Sequence, residues 1–291
     1  MELDLKFHYP VDPEEYVLFR DFILKHSGIV IPPEKTYLIE TRLSRLMAEA
    51  GYEDFGKFYT YVVSGRDPLL PQKIINAITT NETLWFRDAT PWRVLEEFVL
   101  PPLVKAMMSG EKSRIRIWLS AVSTGQEAYS TAMCVDNYLK TNNIRDISLS
   151  DFDFFATDIS SRVLDYAKRA RYDGISITRG LSEYYRDRYF TKNGMAWELD
   201  PRIKQAIRFR QFNLHQDYSE FGIFDVIFCR YVLIYFSEEK KREIINKLYN
   251  ALDSRGVLFT GNYALYELFA DKYDANHFKN LTYYTKKNPK F

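Results

Sequence analysis

The chain has 291 residues, room for one large or two ordinary domains, of which 46% are apolar, 27% charged and 16% aromatic, the balance of a soluble globular protein with a Phe- and Tyr-rich core. The net charge of +1 excludes a polyelectrolyte, so a surface for nucleic acid or an acidic partner would have to be a local patch, and no nucleic-acid partner is expected. Only Cys134 and Cys229 are present, which argues for a reducing compartment and against a disulfide scaffold.

The opening "MELDLKFHYPVDPEEY" lacks the basic start and apolar run of a signal peptide. No stretch reaches the roughly 18 apolar residues of a membrane span, so the expectation is a cytoplasmic protein without membrane insertion. Residues 12–78 carry helical patterns. "DPEEYVLFRDFILKHSG" has acids in its first turn and Gly28 as a stop, and "PPEKTYLIETRLSRLMAEAG" runs to Gly51. "EDFGKFYTYVVSG" and "PLLPQKIINAIT" read as two shorter helices.

The pattern changes from about residue 114. "RIRIWLSA" (114–121), "DFDFFATD" (151–158), "FDVIFCRYVLIYF" (224–236) and "GVLFTG" (256–261) read as strands. "GQEAYSTAMCVDNYLK" (125–140), "SSRVLDYAKRARY" (160–172) and "SEEKKREIINKLYNAL" (237–252) read as helices between them. This alternation implies a parallel sheet with helices on both faces, a doubly wound α/β fold. Residues 195–214 alternate apolar and polar side chains and suggest an inserted antiparallel piece plus one sheet strand.

Ligands of such sheets sit beyond the carboxyl ends of the strands. The first exit, Ser120-Ala121-Val122-Ser123-Thr124-Gly125, is small and carries one glycine, so it makes no convincing pyrophosphate cradle. The alternative is a plain capped turn. The second exit ends at Asp158, whose carboxylate suits the vicinal hydroxyls of a ribose, or alternatively caps the helix from Ser160. Together the exits suggest a nucleoside ligand without a diphosphate, which S-adenosylmethionine fits better than NAD. "ITTNETLWFRD" (78–88) gathers polar groups ahead of Arg87, and Arg230, Tyr231 and Tyr235 put polar tips at the third exit. No histidine or cysteine stands at metal-ligand spacing, and His8, His26, His215 and His277 form no catalytic triad.

These residues, in this order, resemble the chemotaxis receptor methyltransferases, the CheR family. "TTNETLWFRD" is similar to the family's T-x-N-x-T-x-F-F-R segment ending in an acid. "IWLSAVSTGQEAYSTAM" and "FFATDISSRVLDYAKRARY" resemble its first and second strand–helix segments. "RGLSEYYRDRYF", "FNL" and "FDVIFCRYVLIYF" match as well, and "SGIVIPPEKTYLIETRLSRLMAEAGYEDFGKFYTYV" resembles its small helical domain.

The resemblance implies an all-α N-terminal domain over 1–78 that docks the receptor, and a linker over 79–110 that contributes to the cofactor site. A class I methyltransferase domain would then cover 111–291, with an antiparallel β insertion at about 188–212. It implies transfer of a methyl group from S-adenosylmethionine to glutamate side chains on receptor signalling helices, leaving S-adenosylhomocysteine. Asn81, Thr83, Arg87, Glu127, Asp158, Asn213, Leu214, Tyr231 and Val232 would line the cofactor. Arg87 and Tyr235 would lie close to the transferred methyl, Arg87 to position the incoming carboxylate. Lys35, Arg42 and Arg45 follow steps that align on one helix face and would dock the receptor.

The chain departs from the family pattern at Tyr231, where C-R-N-V has Asn, and at Asn262-Tyr263-Ala264. Those departures keep a catalytically silent CheR-like adaptor as the alternative. An oxidoreductase is disfavoured by the missing glycines. The loop from Thr191 to Gly194 is short, so no tether for a receptor-tail peptide is expected, and the protein is expected to be a monomer.

Overall fold

The computed structural model describes residues 9–261 and 266–287. His8 and the Asn262-Tyr263-Ala264 departure lie outside the described residues. The chain divides into two compact units: one takes in the residues up to Thr80 with Tyr235–Lys240, the other Asn81–Ile234 with Lys241 onward.

The first unit is helical: α1 (Pro13–Ser27), α2 (Tyr37–Glu49), α3 (Phe55–Val63) and α4 (Leu70–Ile78). Gly28 closes α1 in the left-handed conformation at φ 78°, a position that suits glycine because it has no Cβ. Pro33–Lys35 form a separate 3-10 turn, so α2 starts later than the sequence pattern suggested. Phe19 is fully buried; it stacks on Phe58 at 5.8 Å and meets Phe55 edge-on at 5.7 Å. Glu15 ties two helix starts together, accepting from the Asp12 N–H at 3.0 Å and the Gly56 N–H at 2.7 Å.

Lys35, Arg42 and Arg45 do not make one solvent-facing cationic stripe. Arg42 turns inward and donates to the Ile78 carbonyl and, at 3.2 Å, to the Thr80 hydroxyl. It thereby serves a carbonyl left over at the end of α4, and burial lowers its pKa. Lys35 and Arg45 are exposed, and Arg45 pairs with Glu49 at 2.8 Å. Tyr235 closes a 3-10 turn over Leu233–Tyr235, and its carbonyl accepts from the Val30 N–H at 2.9 Å.

The second unit begins with α5 (Thr90–Val94) and α6 (Leu100–Met108), joined by a π-helical turn at Leu95–Val99. Then come β1 (Ile115–Leu119), α7 (Gln126–Thr141), β2 (Phe152–Asp158) and α8 (Ser161–Arg169). Next are β3 (Arg171–Asp173), α9 (Gly174–Thr178), α10 (Glu183–Tyr189), β4 (Phe190–Asn193) and β5 (Ala196–Leu199). The unit continues with α11 (Pro201–Ala206), β6 (Ile207–Gln211), β7 (Phe224–Phe228), α12 (Glu238–Ala251) and β8 (Leu252–Phe259). It finishes with α13 (Tyr266–Phe269), β9 (Tyr273–Phe278) and β10 (Leu281–Lys286).

The main sheet runs β6-β2-β1-β7-β8-β10-β9. β6, β2, β1, β7 and β8 are parallel; β10 is antiparallel to both β8 and β9. The strand order reverses between β1 and β7, the switch point where ligands of doubly wound sheets bind. β7 is buried along its whole length, as expected for a central parallel strand. On one sheet face Trp118 is fully buried among Phe155, Phe224, Phe221 and Tyr218, and its Nε1 donates to the Thr157 hydroxyl at 3.0 Å.

A small antiparallel sheet, β3-β5-β4, stands apart from the main one. It draws on Arg171–Asp173 and on residues 190–199, whereas residues 207–211 join the main sheet. Ala170, left-handed at φ 53°, ends α8 and frees Arg171 and Tyr172 for β3. Pro201 opens α11 within the stretch that had looked like strand, and the Asp200 carboxylate accepts from the Arg202 N–H at 2.8 Å to cap it.

Arg42→Ala should remove the charged donor at the end of α4 and cost about 1 kcal/mol for a half-buried group. The unfolding midpoint in urea should drop, while Lys35→Glu and Arg45→Glu should stay within about 0.5 kcal/mol of the parent. An Arg42→Ala midpoint equal to the parent would refute the capping role.

Candidate active site

Backbone geometry at the strand exits sets the site. After β1 the chain turns through Ser123 at φ 51° and Gly125 at φ 95° into α7. A Cβ on Gly125 would lie 3.0 Å from both Ala167 and the Tyr129 ring, so the sharp turn and the close packing both require glycine. The Ser123 N–H donates to Asp158 Oδ2 at 2.8 Å, and its hydroxyl donates to the Asn81 carbonyl at 2.7 Å. The Tyr172 hydroxyl holds the Thr124 carbonyl at 2.8 Å. One serine therefore links the exits of β1 and β2 to the 81–88 segment.

Asp158 is buried at the end of β2; its other oxygen accepts from the Ser160 N–H at 2.9 Å. Burial pushes its carboxyl above the ordinary range, against the pull of those backbone donors. Each oxygen retains lone-pair capacity for a further donor. Asn213 and Leu214 follow β6 and are buried; the Phe212 N–H donates to the Asp158 carbonyl at 2.9 Å, and the Leu214 carbonyl accepts from the Tyr218 hydroxyl at 2.6 Å.

The 81–88 segment is locked from both sides. Trp85 is fully buried; its indole donates to the Ser176 carbonyl at 3.0 Å, and its N–H donates to the Arg179 carbonyl at 3.1 Å. A Cβ on Gly180 would stand 2.3 Å from the Trp85 carbonyl. Phe86, Asp88 and Ala89 all have positive φ, at 44°, 73° and 54°. Such strain in non-glycine residues persists only where the surroundings over-determine it, and it clusters at functional sites.

β7 ends at Phe228, and the next residues leave the sheet. The Arg230 side chain is 0% exposed; it donates to Glu127 at 2.6 Å, to Asp88 at 2.5 Å and to the Arg87 carbonyl at 2.8 Å. It also lies 5.1 Å from the Trp92 ring centre. Burial pushes the Glu127 carboxyl upward, and the adjoining Arg230 guanidinium opposes that shift. Tyr231 is left-handed at φ 57° and donates its hydroxyl to the same Asp88 oxygen. The Arg87 guanidinium lies 3.7 Å from the centre of the Tyr231 ring. Both nearby carboxylates are hydrogen-bonded to Arg230; Arg87 makes no ion pair with either among the described residues, although its charge also helps hold the Glu127 carboxyl down.

Two groups emerge from the expected residues. Asn81 and Asp158 are joined through Ser123, and Asn213 and Leu214 follow Phe212, whose N–H meets the Asp158 carbonyl; Arg87, Glu127 and Tyr231 are joined around Arg230. Thr83 lies in the segment between Asn81 and Arg87, and Val232 follows Tyr231; both are half-buried. Tyr235 belongs to the first unit; within the second unit the phenol that meets Arg87 is Tyr231. Asp88 was not among the expected site residues, Ser123 was expected only as part of the small first exit, and Arg230, expected as a polar tip leaving the core, is instead buried and pairs with two acids. The acid that ends the "TTNETLWFRD" motif was a signal for Asp88, and a cation inside an apolar run was one for Arg230. Cys134 and Cys229 are buried free thiols, and burial pushes the Cys229 thiol up to about 12.

Residues 14–79 match the all-alpha domain of the CheR methyltransferases, and residues 81–280 match the CheR methyltransferase SAM binding domain. The chain belongs to the CheR methyltransferase family. It is 41% identical to chemotaxis protein methyltransferase 1 of Pseudomonas aeruginosa over 85% of this chain and 88% of that one. It is 36% identical to chemotaxis protein methyltransferase Cher2 of Pseudomonas putida over the same shares of the two chains. A chemotaxis protein methyltransferase of Vibrio anguillarum is 38% identical over 86% of this chain and 89% of its own.

The cofactor of this CheR chain is S-adenosylmethionine, and the residues at the switch point fit it. The turn before α7 offers one glycine and no cation for a diphosphate, while Asp158 offers acceptors for a diol. No helix among the described residues is long and apolar enough to cross a membrane.

The raised Asp158 pKa has a directional consequence. The ionised carboxylate accepts from hydroxyl donors, and protonation removes that capacity. Cofactor affinity measured by calorimetry should fall as pH drops through the raised value, starting above where an ordinary aspartate would lose its charge. Asp158→Asn should weaken binding about tenfold at neutral pH and abolish the acid limb. An Asp158→Asn affinity equal to the parent at neutral pH would exclude Asp158 as the acceptor.

Proposed function

We propose that this CheR protein methylates glutamate side chains on chemotaxis receptors in the cytoplasm, using S-adenosylmethionine as the methyl donor. The observation that carries the glutamate assignment is Arg87, a stacked guanidinium with no carboxylate partner among the described residues, beside a buried arginine that takes both neighbouring acids. A planar fork of donors in that state suits an incoming carboxylate. The names of the curated relatives support chemotaxis as the setting.

Asp158 is assigned to the ribose hydroxyls, with Asn213 and Leu214 beside the adenine. Asn81, Thr83 and Glu127 border the remainder of the cofactor, together with the main chain at Tyr231 and Val232. S-adenosylmethionine, when bound, supplies a methyl group on a sulfonium, already a good electrophile. A glutamate carboxylate is ionised at neutral pH, with a reference pKa of about 4.3, so no general base is required. The protein's task is to align the carboxylate oxygen with the methyl and to exclude water. Arg87 positions the carboxylate, and Tyr235 is assigned to orient it by a hydrogen bond. Lys35 and Arg45 are assigned to receptor docking, where their charge is exposed. The protein is taken to act as a monomer without a receptor-tail tether.

The test is a radiolabelled methyl assay with the purified full chain and receptor-bearing membranes, scored for base-labile label released as methanol, the mark of a carboxyl methyl ester. Label should appear on the receptor and be released by base. Arg87→Ala should lower the methylation rate about a hundredfold through lost alignment, with a smaller loss of cofactor affinity because Arg87 is also assigned to the cofactor lining. Base-stable label would contradict carboxyl methylation, and cofactor binding without any transfer would favour the silent adaptor.

A further inference from the structure

Tyr231 stands where the family pattern has Asn, and the local backbone makes that exchange informative. At φ 57° the residue occupies the left-handed region, which Asn enters readily and Tyr does not. The conformation is set by its neighbours: the Cys229 N–H donates to the Phe259 carbonyl at 2.8 Å, and Arg230 is clamped by Glu127 and Asp88. A tyrosine here needs compensation from its side chain, and three contacts provide it. The hydroxyl donates to Asp88, the ring packs against Gly261, and the Arg87 guanidinium lies 3.7 Å from the ring centre. A Cβ on Gly261 would come within 3.3 Å of that ring, so the glycine makes room for it.

The way Arg87 is held matters for what it can do. A carboxylate partner would neutralise the guanidinium and occupy its donors. An aromatic face holds the cation by electrostatic attraction and leaves the in-plane N–H groups available. Asn has no such face. We propose that Tyr231 is a positioning residue: its ring is a shelf, pinned through Asp88 to Arg230, that holds the Arg87 fork open for the acceptor carboxylate. This rests on the reading that Arg87 receives that carboxylate. In this chain the cation-π shelf replaces whatever the compact amide of the family pattern supplies.

The experiment compares Tyr231→Asn and Tyr231→Phe in the full-length chain, alone and combined with Arg87→Ala. Readouts are kcat and KM for receptor-borne glutamate, and cofactor affinity by calorimetry. Tyr231→Asn should raise KM for the receptor about tenfold with cofactor affinity within about threefold, because the shelf acts on the acceptor side. Tyr231→Phe keeps the ring and loses only the Asp88 pin, so it should recover all but about threefold of that loss. In the Arg87→Ala background, Tyr231→Asn should add nothing, since both changes remove one interaction.

A loss that appears in cofactor affinity, or that multiplies with Arg87→Ala, overturns the shelf. If Arg87→Ala itself leaves methylation unchanged, the acceptor reading fails instead. The shelf is then judged by a readout that needs no receptor, the rate of Arg87 modification by phenylglyoxal followed by mass spectrometry. That rate should rise about threefold or more in Tyr231→Asn and much less in Tyr231→Phe as the ring contact is lost or kept. Equal rates in the parent and Tyr231→Asn overturn the proposal whatever the substrate.

Discussion

A guanidinium with no solvent exposure holds the catalytic unit's site together. Arg230 leaves the end of β7, meets Glu127 in the first turn of α7 and Asp88 in the 81–88 segment, and accounts for both negative charges. Partners more than a hundred positions away in sequence are brought to one point. Burying one cation between two carboxylates works because the charges compensate locally; removing a single partner of such a cluster costs about 3–5 kcal/mol. The same bookkeeping decides the chemistry, since the acids that could have neutralised Arg87 are already taken.

Strain is concentrated around that clamp. Phe86, Asp88, Ala89, Ser123 and Tyr231 all adopt positive φ, and each is tied down by a contact that overrides the local preference. Ser123 is held through Asp158 and Asn81, Tyr231 through Asp88 and Arg87, and the 81–88 segment through the buried Trp85 and the close approach of Gly180. The result is a site whose backbone is set before any ligand arrives. That suits a reaction in which alignment, rather than proton transfer, is the protein's main contribution.

Much of this was legible in the sequence, because alternation of apolar runs and capped helices follows from burial alone. The parallel strands, the small β1 exit and the acid ending β2 all appear where the pattern put them. Four kinds of feature were not legible. Short elements set by single residues escaped periodicity: α11 opens at Pro201, and β3 becomes possible because Ala170 breaks α8. The antiparallel β9–β10 hairpin and the helical stretch from Thr90 to Met108 had no distinctive motif. Tertiary choices also overrode helix-face arithmetic, since Arg42 turns inward to the end of α4. Finally, the pairing of Arg230 with two distant acids cannot be read from spacing, although a lone cation in an apolar run announced that partners must exist.

The Arg230 clamp is proposed to organise the cofactor and acceptor sides together. The direct test is calorimetric titration of S-adenosylmethionine into Arg230→Met, beside the triple variant Arg230→Met, Glu127→Gln, Asp88→Asn, with unfolding followed in parallel. The single change strands the buried Glu127 beside the partly exposed Asp88 and should destabilise the chain by about 3 kcal/mol. The triple change removes the stranded charge and should recover most of that stability, while cofactor affinity stays at least about tenfold below the parent because the scaffold is gone. Parent-like stability and affinity in Arg230→Met would contradict the account at its base.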